Sequence, residues 1–252
     1  MSSPRSRTGT VDRRPRADRA RQIADLIRRQ LLHDGYPDGT LPDERLLAAQ
    51  FGATRNAVRD ALDLLRREGL IERLPGVGTV VVSRKVPHGL DRLMGLAEVL
   101  GAHGTVTNEV RAAGPVRPPG AVARRLRVPS GSQVVYIERL RRLGDLPLSL
   151  DLTYLHPDFG TALLDADLEG EDVFRLLELT SGRRLGAADL TVEAVNADAR
   201  SAAELGVPRG GALLMVERLT HFEDGTPVDL EYIRFRGDRL ILRTSTHRSA
   251  DV

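Results

Sequence analysis

The chain has 252 residues, 41% hydrophobic and 29% charged, which is enough for two domains with ordinary cores. It contains no cysteine, which excludes disulfides and thiolate metal sites, and its formal net charge is only +2. That near-neutrality hides a split: residues 1–85 carry 17 Lys plus Arg against 11 Asp plus Glu, and the remainder carries 20 against 24. A basic front on an acidic body points the front half at a polyanion. The chain shows neither an apolar run of membrane-span length nor the apolar core of a signal peptide. The expectation is therefore a cytoplasmic protein with no membrane partner.

Residues 1–16 (MSSPRSRTGTVDRRPR) are polar, Arg-rich and aperiodic, as in a disordered basic arm. From Ala17 to His33 the pattern is helical, with Ile23, Leu26, Ile27 and Leu31 on one face and Asp34-Gly35 as the stop. Asp43 is placed to cap a short helix from Glu44 to Gln50 that ends at Phe51-Gly52. Thr54 caps a third helix reaching about Arg67, in which Val58, Ala61, Leu62 and Leu65 share one side. Arg55, Asn56 and Arg59 cluster on the other side. Leu70 to Leu74 and Thr79 to Ser83 then read as two strands joined by Pro75-Gly76-Val77-Gly78. Residues 17–83 thus form a first domain, with 84–92 as a linker.

From residue 93 to 245 strands alternate with short helices, beginning with an apolar helix around Leu93 to Leu100 and including a helix from Glu171 to Ser181; residues 246–252 read as a tail. This half contains an internal repeat. Val128-Pro129, Gly131, Glu138-Arg139-Leu140, Asp145 and Pro147 recur as Val207-Pro208, Gly210, Glu217-Arg218-Leu219, Asp224 and Pro227. Each copy reads as a short helix, a strand, a tight turn and a second strand. Two copies imply an antiparallel sheet with pseudo-twofold character. The fold class is α+β.

A helix with one apolar flank and an Arg-Asn-Arg flank can enter the major groove, where Arg offers paired donors to guanine and Asn bridges adenine, or be an ordinary amphipathic surface helix. Gly76 and Gly78 would let a hairpin backbone approach phosphate or minor groove, or serve only as a turn. Arg139 and Arg141, two apart, point to one face of a strand that begins with Val135 and Ile137. Such a pair can bind a carboxylate or phosphate, or mark a strand end emerging into water. The six histidines show no close ligand spacing, and no nucleophile motif or phosphate-cradling loop is present, so neither a metal, a cofactor nor catalysis is expected.

The run LPDERLLAAQFGATRNAVRDALDLLRREGLIERLPGVGTVVV resembles the GntR-family winged helix-turn-helix along its length. Its Pro42-Asp43-Glu44-Arg45, Thr54-Arg55-Asn56-Ala57-Val58-Arg59 and Gly76-Val77-Gly78-Thr79 stand where the family has Pro-Ser-Glu-Arg, Ser-Arg-x-Thr-Val-Arg and Gly-x-Gly-Thr. The resemblance implies DNA contacts by Arg45, Thr54, Arg55, Asn56, Arg59 and Gly76. From about Leu93 onward the chain is similar to the UTRA effector domain of the HutC-like subfamily, which has a chorismate-lyase-like fold. That likeness implies an effector pocket holding Leu96, Arg139, Arg141, Asp151, Asp172, Phe174, Asp229, Glu231 and Phe235. Glu231 is the repeat partner of Asp151. Phosphosugar-binding members have hydroxyl residues at the positions of Gly95 and Asp172, and aromatics at those of Leu96 and Phe174.

The expectation is a homodimeric transcription regulator, a repressor that binds a near-palindromic operator under the control of an anionic or amphoteric small-molecule effector. The alternatives are a constitutive repressor with a vestigial pocket and a lyase-like enzyme with a DNA-binding appendage.

Overall fold

The computed structural model describes residues 16–33, 36–82 and 85–247. The Asp34-Gly35 helix stop, nearly all of the basic arm and most of the tail lie outside the described residues. The chain divides into two compact units, Met1–Arg84 and Lys85–Val252.

In the first unit, helices α1 (Arg16–Leu32), α2 (Glu44–Gln50) and α3 (Arg55–Arg67) accompany a three-stranded sheet whose first strand lies between α1 and α2. Its strands are β1 (Thr40–Leu41), β2 (Ile71–Leu74) and β3 (Gly78–Val81), in the order β1-β3-β2. The side chain of Asp43 accepts from the Leu46 amide at 2.8 Å and that of Thr54 from the Ala57 amide at 3.3 Å, so each caps its helix. Ile23, Ile27, Leu47, Val58, Leu62, Leu65 and Ile71 close the core. Leu26, expected on the same stripe, is 49% exposed. At 100° per residue it lies about 140° from Leu31, wider than the face that α3 covers.

The second unit begins with β4 (Val86–Gly89), inside the stretch read as a linker. It pairs parallel to β11 (Leu240–Arg243), Leu240 facing Val86. A four-residue strand containing a proline carries too little period-2 signal to be seen without its distant partner. Helix α4 (Leu96–Leu100) follows. The main body is a six-stranded antiparallel sheet in the order β5-β6-β7-β10-β9-β8. Its strands are β5 (Val106–Val116), β6 (Val134–Leu143), β7 (Leu146–Leu155), β8 (Leu185–Asn196), β9 (Ala212–Phe222) and β10 (Pro227–Arg236).

The internal repeat explains this order. Helix α5 (Gly120–Arg125) with β6 and β7 corresponds to α8 (Ala199–Leu205) with β9 and β10, and the two hairpins meet along β7 and β10. Asp151 corresponds to Glu231 and Thr153 to Ile233, and the pairs Asp151↔Ile233 and Thr153↔Glu231 exchange under that correspondence. The pair Leu152↔Tyr232 maps onto itself, so the pseudo-twofold axis passes through it.

On one sheet face, Leu126, Val134, Leu219 and Leu230 form one apolar cluster, and Leu140, Leu150, Leu205 and Leu213 another. The other face carries two apolar blocks. The first gathers Ile137, Leu155, Leu163, the short helix α6 (Pro157–Gly160) and helix α7 (Val173–Ser181); the second gathers Val86, Leu100, Val216, Ile233 and Phe235. A band of buried charge runs across this face with them.

Candidate functional site

In the first unit the capped helices and the hairpin frame a cleft of about 610 Å³ lined by Arg45, Arg55, Arg59, Arg73, Glu44 and Gly78, among others. Arg45, Thr54, Arg55, Asn56, Arg59 and Gly76 are all exposed; Thr54, Asn56 and Gly76 do not line the cleft itself. Gly76 turns the hairpin with φ +77°, a left-handed conformation that costs a glycine nothing. Glu44 lies between two of the cations, 3.2 Å from Arg59 and 3.8 Å from Arg73. Both arginines keep more than half of their side-chain surface in solvent, at 58% and 70%. The cleft therefore presents guanidinium groups at little desolvation cost, as a polyanion surface requires.

In the second unit the sheet register places Arg139 and Arg141 on β6 across from Asp151 and Ser149 on β7, and Arg218 on β9 across from Glu231 on β10. Arg139, Arg141, Asp151, Asp229 and Glu231 are at most 3% exposed, so the reading of Arg139 and Arg141 as a strand end in water is excluded. Arg141 donates through Nε (3.1 Å) and Nη2 (2.8 Å) to Asp151 Oδ2, and Ser149 donates to Asp151 Oδ1 at 2.6 Å. Arg218 donates to Glu231 through Nε at 2.9 Å and also through Nη2, and its guanidinium lies 4.3 Å from the Phe174 ring centroid. Thr153 donates to Glu231 at 3.2 Å.

Arg139 differs from the other two. Its Nη1 donates to the carbonyls of Leu168 (3.2 Å) and Glu171 (3.4 Å), and its Nε has no hydrogen-bond partner among the described residues. Burial, then Arg141, lowers its pKa, whereas Asp151 and Asp172 outweigh burial and raise that of Arg141. Asp172 accepts from the Phe174 amide at 2.9 Å as the N-cap of α7 and stands 3.6 Å from Arg141 Nη1, an ion pair too long for a hydrogen bond. Burial would raise the Asp172 carboxyl, but Arg141 and the Phe174 amide hold it below the usual range. Asp229 is fully buried, with neither carboxyl oxygen hydrogen-bonded among the described residues; burial and then Glu231 push it well above the carboxylate range, against Arg218 and Arg139.

A cavity of about 180 Å³ opens beside the band, lined by residues 88–94, 186–188, Leu190 and Arg218. His88 lines it with an Nδ1 that has no hydrogen-bond partner among the described residues, and burial together with Arg218 and Arg141 lowers its pKa, favouring the neutral ring.

Residues 19–81 match the model of the gntR family of bacterial regulatory proteins, and residues 101–241 match the UTRA domain. An HTH-type transcriptional regulator of Mycobacterium tuberculosis is 31% identical over 226 residues, 86% of this chain and 82% of that protein. The chain belongs to the GntR family. The HTH-type transcriptional repressor NagR of Bacillus subtilis is 27% identical, over 86% of this chain and 90% of its own length. The crystal structure of PhnF from Mycobacterium smegmatis aligns with a TM-score of 0.65 at 26% identity, covering 90% of this chain and 100% of that one.

This GntR regulator is a DNA-binding transcription regulator whose DNA binding is modulated by a ligand through its UTRA unit. Of its expected pocket residues, Arg139, Arg141, Asp151, Asp172, Phe174, Asp229 and Glu231 share the charged band. Phe235 packs instead in the apolar block with Val86, Leu148 and Leu240. Leu96 belongs to α4, and its side chain is not among those described. Sequence reasoning missed Arg218, though the repeat pairs it with Arg139. It also missed His88 and the Glu44 link to Arg59 and Arg73, for which adjacency in sequence gives no signal.

Proposed function

We propose that the chain acts as a homodimeric repressor in the cytoplasm, without catalysis. In this reading it grips a near-palindromic operator with the α3 and hairpin surface of each protomer, and an effector in the charged band alters that grip. The observation that carries the reading is the exposed set Arg45, Arg55, Asn56 and Arg59 around a cleft between recognition helix and wing. A two-fold dimer matches paired half-sites. The long edge strand β8, exposed over most of its residues and carrying Leu190 and Val192 at 40% and 44% exposure, supports dimerisation through the second unit.

The effector we infer is an amphoteric small molecule without a phosphate. Its acid group meets Arg139, the guanidinium left without a carboxylate within ion-pair distance among the described residues, and its amine meets Asp229. Light scattering of the full chain should give twice the chain mass. Selection from random duplex DNA should enrich a two-fold symmetric site. A monomer bound to an asymmetric site would overturn the dimeric reading. A thermal-shift screen of amino acids and related zwitterions, followed by operator titration with each hit, tests effector control. Ligand binding with unchanged DNA affinity would leave a constitutive repressor.

A further inference from the structure

The band of charge on the sheet is balanced without any ligand. Three guanidinium groups, Arg139, Arg141 and Arg218, are enclosed with three carboxyl groups held by arginine: Asp151 on Arg141, Glu231 on Arg218, and Asp172 facing Arg141. Asp229 stands apart, buried without a donor and shifted toward its protonated form. Asp151 and Glu231 come from the sheet itself, at equivalent positions of the repeat. Asp172 does not. It enters from the start of α7, where the repeat has no counterpart.

Its place is built for it from the other side. Gly95 lies so close that a Cβ there would stand 2.5–2.6 Å from the carboxyl carbon and both oxygens of Asp172. No side chain fits that position unless the carboxylate moves. The Asp172 carboxylate thus has a glycine behind it, the Phe174 amide beneath it and a guanidinium before it, at 11% side-chain exposure.

We propose that Asp172 is a built-in counter-anion that determines effector specificity: it holds the anion-binding position beside Arg141, so the site rejects phosphate-like dianions and accepts ligands with no net charge, neutral or zwitterionic. The proposal rests on the reading of the charged band as the effector site. A dianion entering the intact cluster would add buried negative charge to three guanidinium groups already matched in number by three carboxylates, in a place where low dielectric magnifies the cost. Removing the Asp172 charge reverses the account. It leaves Arg141 Nη1, which has no hydrogen-bond partner among the described residues, facing a vacated position at the positive end of a nine-residue helix.

The test uses the full chain and inorganic phosphate at matched ionic strength. Asp172→Ser keeps a helix cap while removing charge and bulk; Asp172→Asn keeps the shape and removes the charge alone. In both, phosphate should bind at least about tenfold more tightly than in the wild type, read as a melting shift and by phosphorus line broadening. Gly95→Ala should destabilise the wild-type chain and be tolerated in the Asp172→Ser background. Phosphate binding by the wild type equal to that of the variants would overturn the proposal. So would a failure of both variants to gain affinity, or additive effects of the Gly95 and Asp172 substitutions. If the variants gain phosphate while their affinity for operator DNA ignores it, the counter-anion stands and the effector-site reading falls.

Discussion

Arg45, Arg55, Arg59 and Arg73 of the first unit stand in solvent, whereas Arg139, Arg141 and Arg218 of the second are at most 8% exposed. The same side chain serves opposite physics in the two places. Exposed guanidinium groups keep their hydration and counterions until a polyanion displaces them, so their contribution is screened by salt and felt in binding. Buried ones have lost their water and must be matched charge by charge, so their contribution is felt in folding and in the choice of ligand. Glu44 illustrates the difference. It touches two arginines and leaves both largely solvated, while Asp151 and Glu231 are sealed against theirs.

The largest effect is expected at Glu231. Glu231→Ala leaves Arg218 buried without its carboxylate and should cost about 3–5 kcal/mol in denaturant unfolding. A loss near that of a surface pair would mean the band is not sealed. Next comes Arg55→Ala, which should leave folding intact and weaken operator binding by about 1–3 kcal/mol if it reads a base; Arg45→Ala should instead lower the salt slope by about one. Titrations over a salt series separate the two. Asp43→Ala removes the cap of α2 and should cost about 1 kcal/mol of stability. Arg73→Ala, which loses only a long exposed pair, should stay within about 0.5 kcal/mol by the same unfolding measurement.

Asp229 sharpens the comparison through pH. Its folded carboxyl keeps a proton above the ordinary carboxylate range, so above that range the folded chain binds more protons than the unfolded one. Stability then falls as pH rises toward the folded value, and the penalty is absent below the unfolded value. Asp229→Asn should raise the melting temperature near pH 8 and leave it unchanged near pH 4. A pH-independent difference would show that the carboxyl is ionised in the fold.

The first unit was the more legible in sequence because its signals are local. The cap residues Asp43 and Thr54 and the stripe of Val58, Ala61, Leu62 and Leu65 are each written within one turn or one helix. In the second unit the repeat announced the two hairpins, since Val-Pro-x-Gly and Glu-Arg-Leu recur at nearly constant offset. What it could not announce was pairing across the chain. Strand β4 exists through its match with β11 some 150 residues away, and Gly95 matters only because Asp172 is folded against it. The sequence leaves the effector anionic or amphoteric, and the amphoteric reading proposed above rests on carboxylates that only the fold sets against the arginines. Two arginines read as an empty anion site until the carboxylates that face them are placed.

The most direct test is a titration of the full chain and its Arg55→Ala/Arg59→Ala variant against the duplex that the wild type enriches from random DNA. The wild type should bind that duplex specifically and with salt dependence, and the variant should fold normally yet discriminate it poorly from unrelated DNA. A variant with undiminished specific binding would contradict the role given to α3.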